Sequence, residues 1–350
     1  MAYTTIDDPS AYFHTQLYTG NGASSHSITN NANAGNFKPD WLWIKQRSQS
    51  SRSHSQWDTS RGNSERLQSD NSFAEETQAG DQKTFDTNGF TVGGGNITNE
   101  SSQTFVAWQW KANGGTTSSN TDGSITSTVQ ANTTAGFSIV TYTGTGSSAT
   151  VGHGLGSVPK MLIVKERDNS NDWKVYHHSI GNNKTVRLDT TDAQTSDSTT
   201  FASTTPTSSV FSVNSNATNR SGGGIVAYCF APKKGYSKFD SYIGNGSSTD
   251  GTFIYLGFKP AFFITKNITD AGDNWILWDN KRDTFNLTDN GLAPNSSTAE
   301  FTDCHIDFVS NGIKIRNSTG RHNGTGDTHI YMAFAESPFV SSLGVPTTAR

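Results

Sequence analysis

Apolar and polar residues alternate along most of this chain, and the alternation predicts strands. In FVAWQWK, Val106, Trp108 and Trp110 face one way while Ala107, Gln109 and Lys111 face the other, as expected of a strand with one buried face. Val226, Tyr228 and Phe230 repeat the pattern, and so do Ile330, Met332 and Phe334. FHTQLYTG, GFSIVTYTG and YSKFDSYIG read as further strands, as do TFDTNGFTVGG, SSVFSVN and IDFVSNGIKIRN. Asn88-Gly89 and Asn311-Gly312 stand between apolar runs, the preferred chemistry of a tight hairpin turn. No window of helical length keeps apolar residues at the i, i+3, i+4 and i+7 spacing, so helices are not expected.

Three runs break the alternation. WLWI, MLIV and FFIT are apolar on both sides of the pleat, which predicts strands buried on both faces, in a sandwich core or under a subunit contact. Each follows a proline and closes on a lysine: FKPDWLWIKQRS, SVPKMLIVKERD and FKPAFFITKNIT place Pro39, Pro159 and Pro260 in register, then Lys45, Lys165 and Lys266. Downstream, QWDTSRG, VYHHSIG and LWDNKRD align Trp57 with Tyr176 and Trp278. The closing strands align Trp110 with Phe230 and Phe334. Pro159 follows Pro39 by 120 positions, Tyr176 follows Trp57 by 119, and Phe230 follows Trp110 by 120. From the second copy to the third the same markers move by 101, 102 and 104. A shift that steady across separate motifs identifies a tandem repeat.

With about seven short strands in each stretch of roughly 100 residues, the expected fold is all-β, with three tandem antiparallel β-sandwich, jelly-roll-like domains. The expected boundaries are an N-terminal arm at 1–11, repeats at 12–115, 134–235 and 236–340, and a tail at 341–350. Residues 116–133 lie in a Gly, Ser and Thr-rich stretch that reads as a flexible linker. It would set the first repeat apart, whereas the second and third join directly at PKKG and should pack closely.

Composition changes the picture in one respect. Leu, Ile, Val and Phe make up only about 18% of the chain, a level that in a highly charged chain would indicate disorder. The net charge is only −4, and 8 Trp, 10 Tyr and 20 Phe supply buried area in place of aliphatics. The modest acidity and scattered Lys and Arg argue against a nucleic-acid partner. No apolar run reaches the ~20 residues of a membrane helix, and the N-terminus has no signal-peptide pattern. Cys229 and Cys304 occupy non-equivalent places and read as buried thiols. The Asn-x-Ser/Thr triplets, Asn96, Asn132, Asn286 and Asn317 among them, read as products of composition.

Candidate chemistry clusters after the mid-repeat aromatic. Trp57-Asp58 is followed by Arg61 and Trp278-Asp279 by Arg282, whereas the second repeat has Tyr176, His177 and Ile180. These aromatics and polar residues are the candidate binding positions. An exposed ion pair stiffening a turn is the expected role of the Asp and Arg, with little energetic weight. His177 and His178 are adjacent on a strand and should not share a metal ion. Asp168 to Asp172, and Asp270 with Asp273, lack a full calcium ligand set. His153 has no nucleophile and acid near it in sequence, and the Gly triplets at 93–95 and 222–224 precede strands, which removes a phosphate cradle. Glu75, Glu76 and Glu100 read as surface loop residues of one repeat only. Neither an enzyme signature nor a cofactor or metal site is expected.

The combination of FKPDWLWIKQRS, WDTSRG, FDTNGFTVGG and FVAWQWKANGG resembles a domain of unknown function found repeatedly in fibre-like and other virion proteins of marine bacteriophages. MAYTTIDDPSAYFHTQLYTGNG also resembles the start of such proteins. The resemblance spans 12–339 and is best in the first repeat. It implies a concanavalin-like or jelly-roll sandwich on a virus particle, with other virion proteins or a host-surface glycan or protein as partners. A homo-oligomer, a trimer in a fibre, is the expectation for a phage appendage. An architectural part that decorates a capsid or helps assemble a tail is the rival expectation.

Overall fold

The computed structural model describes residues 3–347 and shows an all-β protein of antiparallel sheets. The period-2 alternation decides the architecture, because each repeat builds a large sheet with two apolar faces. Its strands occur in the same order three times. The opening strand (Phe13–Thr19, Phe137–Thr143, Ser237–Ile243) pairs with the closing strand (Thr104–Trp110, Gly224–Phe230, Thr328–Pro338). The closing strand pairs in turn with the Pro-anchored strand (Trp41–Gln46, Met161–Glu166, Phe258–Asn267). Next comes the mid-strand (Ser55–Asp58, Lys174–His177, Ile276–Asp279). Register repeats as well: Trp41 pairs with Trp110, Met161 with Phe230 and Phe262 with Phe334.

One face of each large sheet meets a smaller sheet of its own repeat. The small sheets contain His26–Thr29, Gly89–Val92 and Gln82–Asp86 in the first repeat, Ala149–Gly152 and Val210–Val213 in the second, and Phe253–Tyr255, Gly312–Ile315 and Ile306–Val309 in the third. Separate apolar clusters fill these spaces, for example Leu42, Ile44, Trp57, Phe90 and Val92 in the first repeat. The other faces of the three large sheets meet one another. Trp41, Trp43, Trp108 and Trp110, then Met161, Ile163, Tyr228 and Phe230, then Phe262, Ile264, Met332 and Phe334 form one cluster. Trp41 stacks on Tyr228 at 4.3 Å, Trp110 meets Phe262 edge-on at 5.6 Å, and Phe230 meets Phe334 at 6.1 Å, so every pair of repeats is joined. The double-sided apolar runs are thus explained by a core on each side. The subunit contact they anticipated exists between repeats of one chain.

The expectation that the first repeat stands apart is corrected, because its four tryptophans lie in the shared core. The flexible linker is corrected too. Residues Ser118–Asn120 and Ser127–Asn132 are strands that extend the second repeat's large sheet beyond its opening strand. Gln130 is buried and donates to Thr59 Oγ1 and Ser60 Oγ of the first repeat. Tethering at both ends removes the freedom that Gly, Ser and Thr would otherwise confer. The arm reaches the third repeat, where Tyr3 donates to the Gly257 carbonyl and Asp7 accepts from Ser342. Residues 3–7 of the arm therefore lie against the third repeat and the segment that follows it.

Candidate functional site

All eight residues picked out by sequence are buried. Trp57, Tyr176 and Trp278 lie under the small sheets, each in its own cluster. Asp58, Arg61, His177, Asp279 and Arg282 lie instead in the seams between repeats. The expected exposed ion pair is corrected: the side chains of Asp58, Arg61, Asp279 and Arg282 are fully withdrawn from solvent.

The seams follow one cyclic rule. Asp58 Oδ1 accepts from the Ser60 and Arg61 amides and holds the turn, while its Oδ2 takes Arg61 Nε at 2.5 Å and the Tyr228 hydroxyl of the second repeat at 2.7 Å. Asp279 repeats this with Lys281, Arg282 and the Trp108 indole of the first repeat at 3.0 Å. Burial acts to raise the Asp279 carboxyl's pKa, but the adjoining Arg282 guanidinium outweighs it and holds the group below the ordinary range. In the second repeat His177 Nδ1 accepts from the Ser179 amide and Nε2 donates to the Tyr331 carbonyl of the third at 3.2 Å. Met332 occupies the place of Trp108 and Tyr228 and has no hydrogen to donate, so the histidine turns to the adjacent backbone. Burial depresses its pKa to about 3, which keeps it in the neutral tautomer those two bonds require.

A second set of contacts joins the same pairs of repeats in the same cyclic order. Glu75 bridges Arg61 of its own repeat and Arg167 of the second, while its amide donates to the Arg167 carbonyl at 2.7 Å. Glu300 bridges Arg282 and Arg47 of the first repeat, with its amide on the Arg47 carbonyl at 2.9 Å. At the third seam the same backbone bond joins Gln194 to Ile268 at 3.3 Å, and Ile180 replaces the remaining arginine. All three charged positions have changed together there, leaving Ile180 and Ile268 in the shared core. Glu75 stands in a loop but bridges two repeats and is largely buried, which corrects its reading as a surface residue. Lys45, Lys165 and Lys266 complete the rule by donating to carbonyls of the neighbouring repeat at Ser297, Ser72 and Thr191. Burial pulls all three ammonium groups down to about 8.

His177 and His178 both bond carbonyls of the third repeat, Tyr331 and Phe239. No cluster of three metal-ligating side chains occurs among the described residues. Polar groups accessible to a ligand lie elsewhere. An open cleft of about 240 Å³ is lined by Lys259, Asn280, Lys281, Asp283, Phe285 and Glu336 among others. It continues, through Asn280, Lys281 and Glu336, into a smaller pocket walled by His14 and Asn31 of the first repeat. Phe285 is 77% exposed at its rim, and Asn280 Oδ1 is buried without a partner. An exposed aromatic face and an ammonium group then border one open volume, with Asn280 in its wall. Sequence gave no signal for it, because the 283–290 loop has no counterpart in the other repeats.

The chain belongs to a family described as a domain of unknown function, DUF7483, whose match covers residues 8–338 in one span. That span takes in all three repeats. No curated protein and no solved structure matches the chain.

Proposed function

We propose that this chain is a non-enzymatic structural protein of a bacteriophage virion, tail- or fibre-associated, that binds a host-surface glycan or protein. Its three repeats are read as tandem jelly-roll-like β-sandwiches locked into a ring. The observation that carries the reading is the contrast between the seams and the cleft. The repeated Asp, Arg, Glu and Lys groups of the mid-strand turns and Pro-anchored strands are used to join repeats, while the loop-borne cleft at the seam of the third and first repeats leaves Phe285 and Lys281 exposed. Loops on a rigid β scaffold, with an aromatic face beside amide and charged groups, suit a sugar surface. The resemblance to virion proteins supplies the setting. Asp58 and Asp279 are each committed to an arginine, which argues against a paired-carboxylate hydrolase.

Binding of the purified protein to host envelope polysaccharide, lost in Phe285→Ala and Lys281→Ala, tests the glycan reading; equal binding by wild type and both variants would remove it. The rival, an architectural part docked on other virion proteins, is favoured by Leu343 and Val345, which are 88% and 58% exposed near the C-terminus. A particle reconstruction separates the two, since a protein held on the head beneath the appendages could not lead adsorption.

A further inference from the structure

The same edge is treated differently in the three repeats. Register through Gly89 and Gly312 aligns Ser27, Ile28 and Thr29 with Phe253, Ile254 and Tyr255, and the second repeat places Thr150, Val151 and Gly152 there. The middle residue points inward each time and is buried. The flanking residues point out. They are polar in the first repeat, as exposed sheet edges usually are to prevent stray pairing. At the end of the opening strand Thr19 and Thr143 likewise correspond to Ile243. The third repeat alone has Ile243, Phe253 and Tyr255, which are 62%, 46% and 52% exposed. Thr252 Oγ1 donates to the Ile243 carbonyl, so the two strand edges adjoin.

The second repeat shows what this edge is shaped to receive. Residues 124–132 of this chain run along it as an extended segment. The Ile125 amide donates to the Thr150 carbonyl at 3.0 Å, Ile125 bridges Val151 in parallel, and Ser127 Oγ donates to the Gly152 carbonyl. The segment then pairs antiparallel with the opening strand from Thr128 to Asn132. Ile125 becomes buried in the process. In the third repeat Phe253–Tyr255 and Ser237–Ile243 end their sheets with no further strand paired beyond them among the described residues; His178 of the second repeat holds the Phe239 carbonyl and Thr252 the Ile243 carbonyl, so the open stretch of edge is Phe253–Tyr255. Lys238 Nζ covers the Tyr255 carbonyl, the one edge acceptor with a lysine on it.

We propose that the outer edge of the third repeat, Ile243 with Phe253 and Tyr255, receives an extended segment of a partner polypeptide, with apolar residues at alternate positions, as a strand added to the sheet. The chain's own 124–132 segment on the second repeat is the template for the mode, which combines backbone pairing with alternate side-chain contacts. A second copy of this chain fits less well, since a three-residue strand paired about a twofold axis would bury far less than the roughly 1,200 Å² of a stable interface.

The test pans a bead-displayed library of random extended peptides against the full-length protein, with I243T/F253S/Y255T as counter-target. Those substitutions install residues of the first repeat and should leave the melting temperature unchanged. Expected are peptides with alternating apolar residues that bind the variant about tenfold or more weakly, the weight of lost central anchors. A photoreactive group in such a peptide should cross-link to 253–255. No enrichment over the variant, or cross-linking elsewhere, overturns the proposal. Self-association abolished by the same substitutions would also overturn it, assigning the edge to a second copy. None of these readouts involves host glycan, so failure here and failure of the cleft reading are distinguishable.

Discussion

The Tyr228 hydroxyl of the second repeat and the Asp58 carboxylate of the first are 2.7 Å apart across a seam, with Arg61 on the same oxygen. Removing the carboxylate leaves a buried guanidinium with one bridge to Glu75 and no neutralising partner at Nε. Asp58→Asn is expected to cost about 3–5 kcal/mol, as for one half of a buried pair. Tyr228→Phe should cost only about 1–3 kcal/mol, since the carboxylate keeps Arg61 and loses one donor. Urea unfolding of both variants checks the order; equal losses would mean that the seam carries little of the stability.

The third seam shows how a charged seam becomes an apolar one. Glu75→Gln alone leaves Arg61 to Asp58 and Arg167 without its carboxylate, and should destabilise by about 1–3 kcal/mol, less than the loss of Asp58. Installing the third seam's residues together, Asp58→His, Arg61→Ile, Glu75→Gln and Arg167→Ile, should restore most of that, because a buried ionic cluster can be exchanged for packed apolar groups at little net cost. Chemical denaturation of the single and fourfold variants decides it. A fourfold variant weaker than the single would show that the seams are not interchangeable.

Much of this was legible in sequence, and the rest was hidden for a physical reason. Period-2 alternation and constant marker spacing located the repeated strands, because both are properties of one chain segment. Lys45, Lys165 and Lys266 recurred just as regularly, yet a lysine ending a strand looks like a solvated terminus until its neighbour's carbonyl is in place. The change of Arg61 to Ile180 looked like a dispensable surface pair. Its partners Gln194 and Ile268 lie in loops and repeats that only the ring brings together. The edge contrast of Thr19, Thr143 and Ile243 was readable only once register had been set by pairing.

The buried lysines set the alkaline limb of stability. Their folded values of about 8 lie below the roughly 10.4 of an unfolded lysine. Between those values the unfolded chain binds more protons, so each lysine makes stability rise with pH. The buried Cys229 and Cys304 thiols, raised by burial, act oppositely once unfolded cysteines ionise near 8.5. The slope of melting temperature from pH 8 to 10 should therefore be more positive in wild type than in Lys165→Met; identical slopes would place that ammonium in water. Above pH ~10 stability should fall in both, because Tyr142, Tyr228 and Tyr236 keep their protons only when folded.

Histidines set the acid limb. Burial holds His177 and His322 at about 3 and His329 at about 4. Below the unfolded value of roughly 6.5 the unfolded chain takes up protons that the folded one refuses, so stability falls with pH until about 3–4. Asp189, raised by burial to about 6, opposes this between its folded value and the ordinary 3.8, as do Asp40, Asp70 and Asp81, but burial also lowers His14, His54 and His153, so the histidines outnumber them. The urea midpoint should drop from pH 7 to pH 5, and His177→Gln should reduce the drop. A midpoint that rises on acidification would refute the assignment of these buried rings as neutral in the folded protein.

The shared core makes the repeats dependent on one another. Trp41, Trp43, Trp108 and Trp110 are all completely buried, but the face they form is covered by the second and third repeats and not by the first repeat's small sheet. A fragment of residues 1–115 would expose those indoles as one apolar surface, far beyond the isolated apolar residues a soluble surface carries. Expressed alone it should aggregate or unfold without a cooperative transition. Co-expressed with 116–350 it should copurify as a one-to-one complex with tryptophan emission close to that of the intact chain, since the seams reform without the covalent link. A fragment 1–115 that is monomeric and unfolds sharply on its own would show that the ring is three independent domains in contact, in place of the interdependent core inferred from Trp41 on Tyr228.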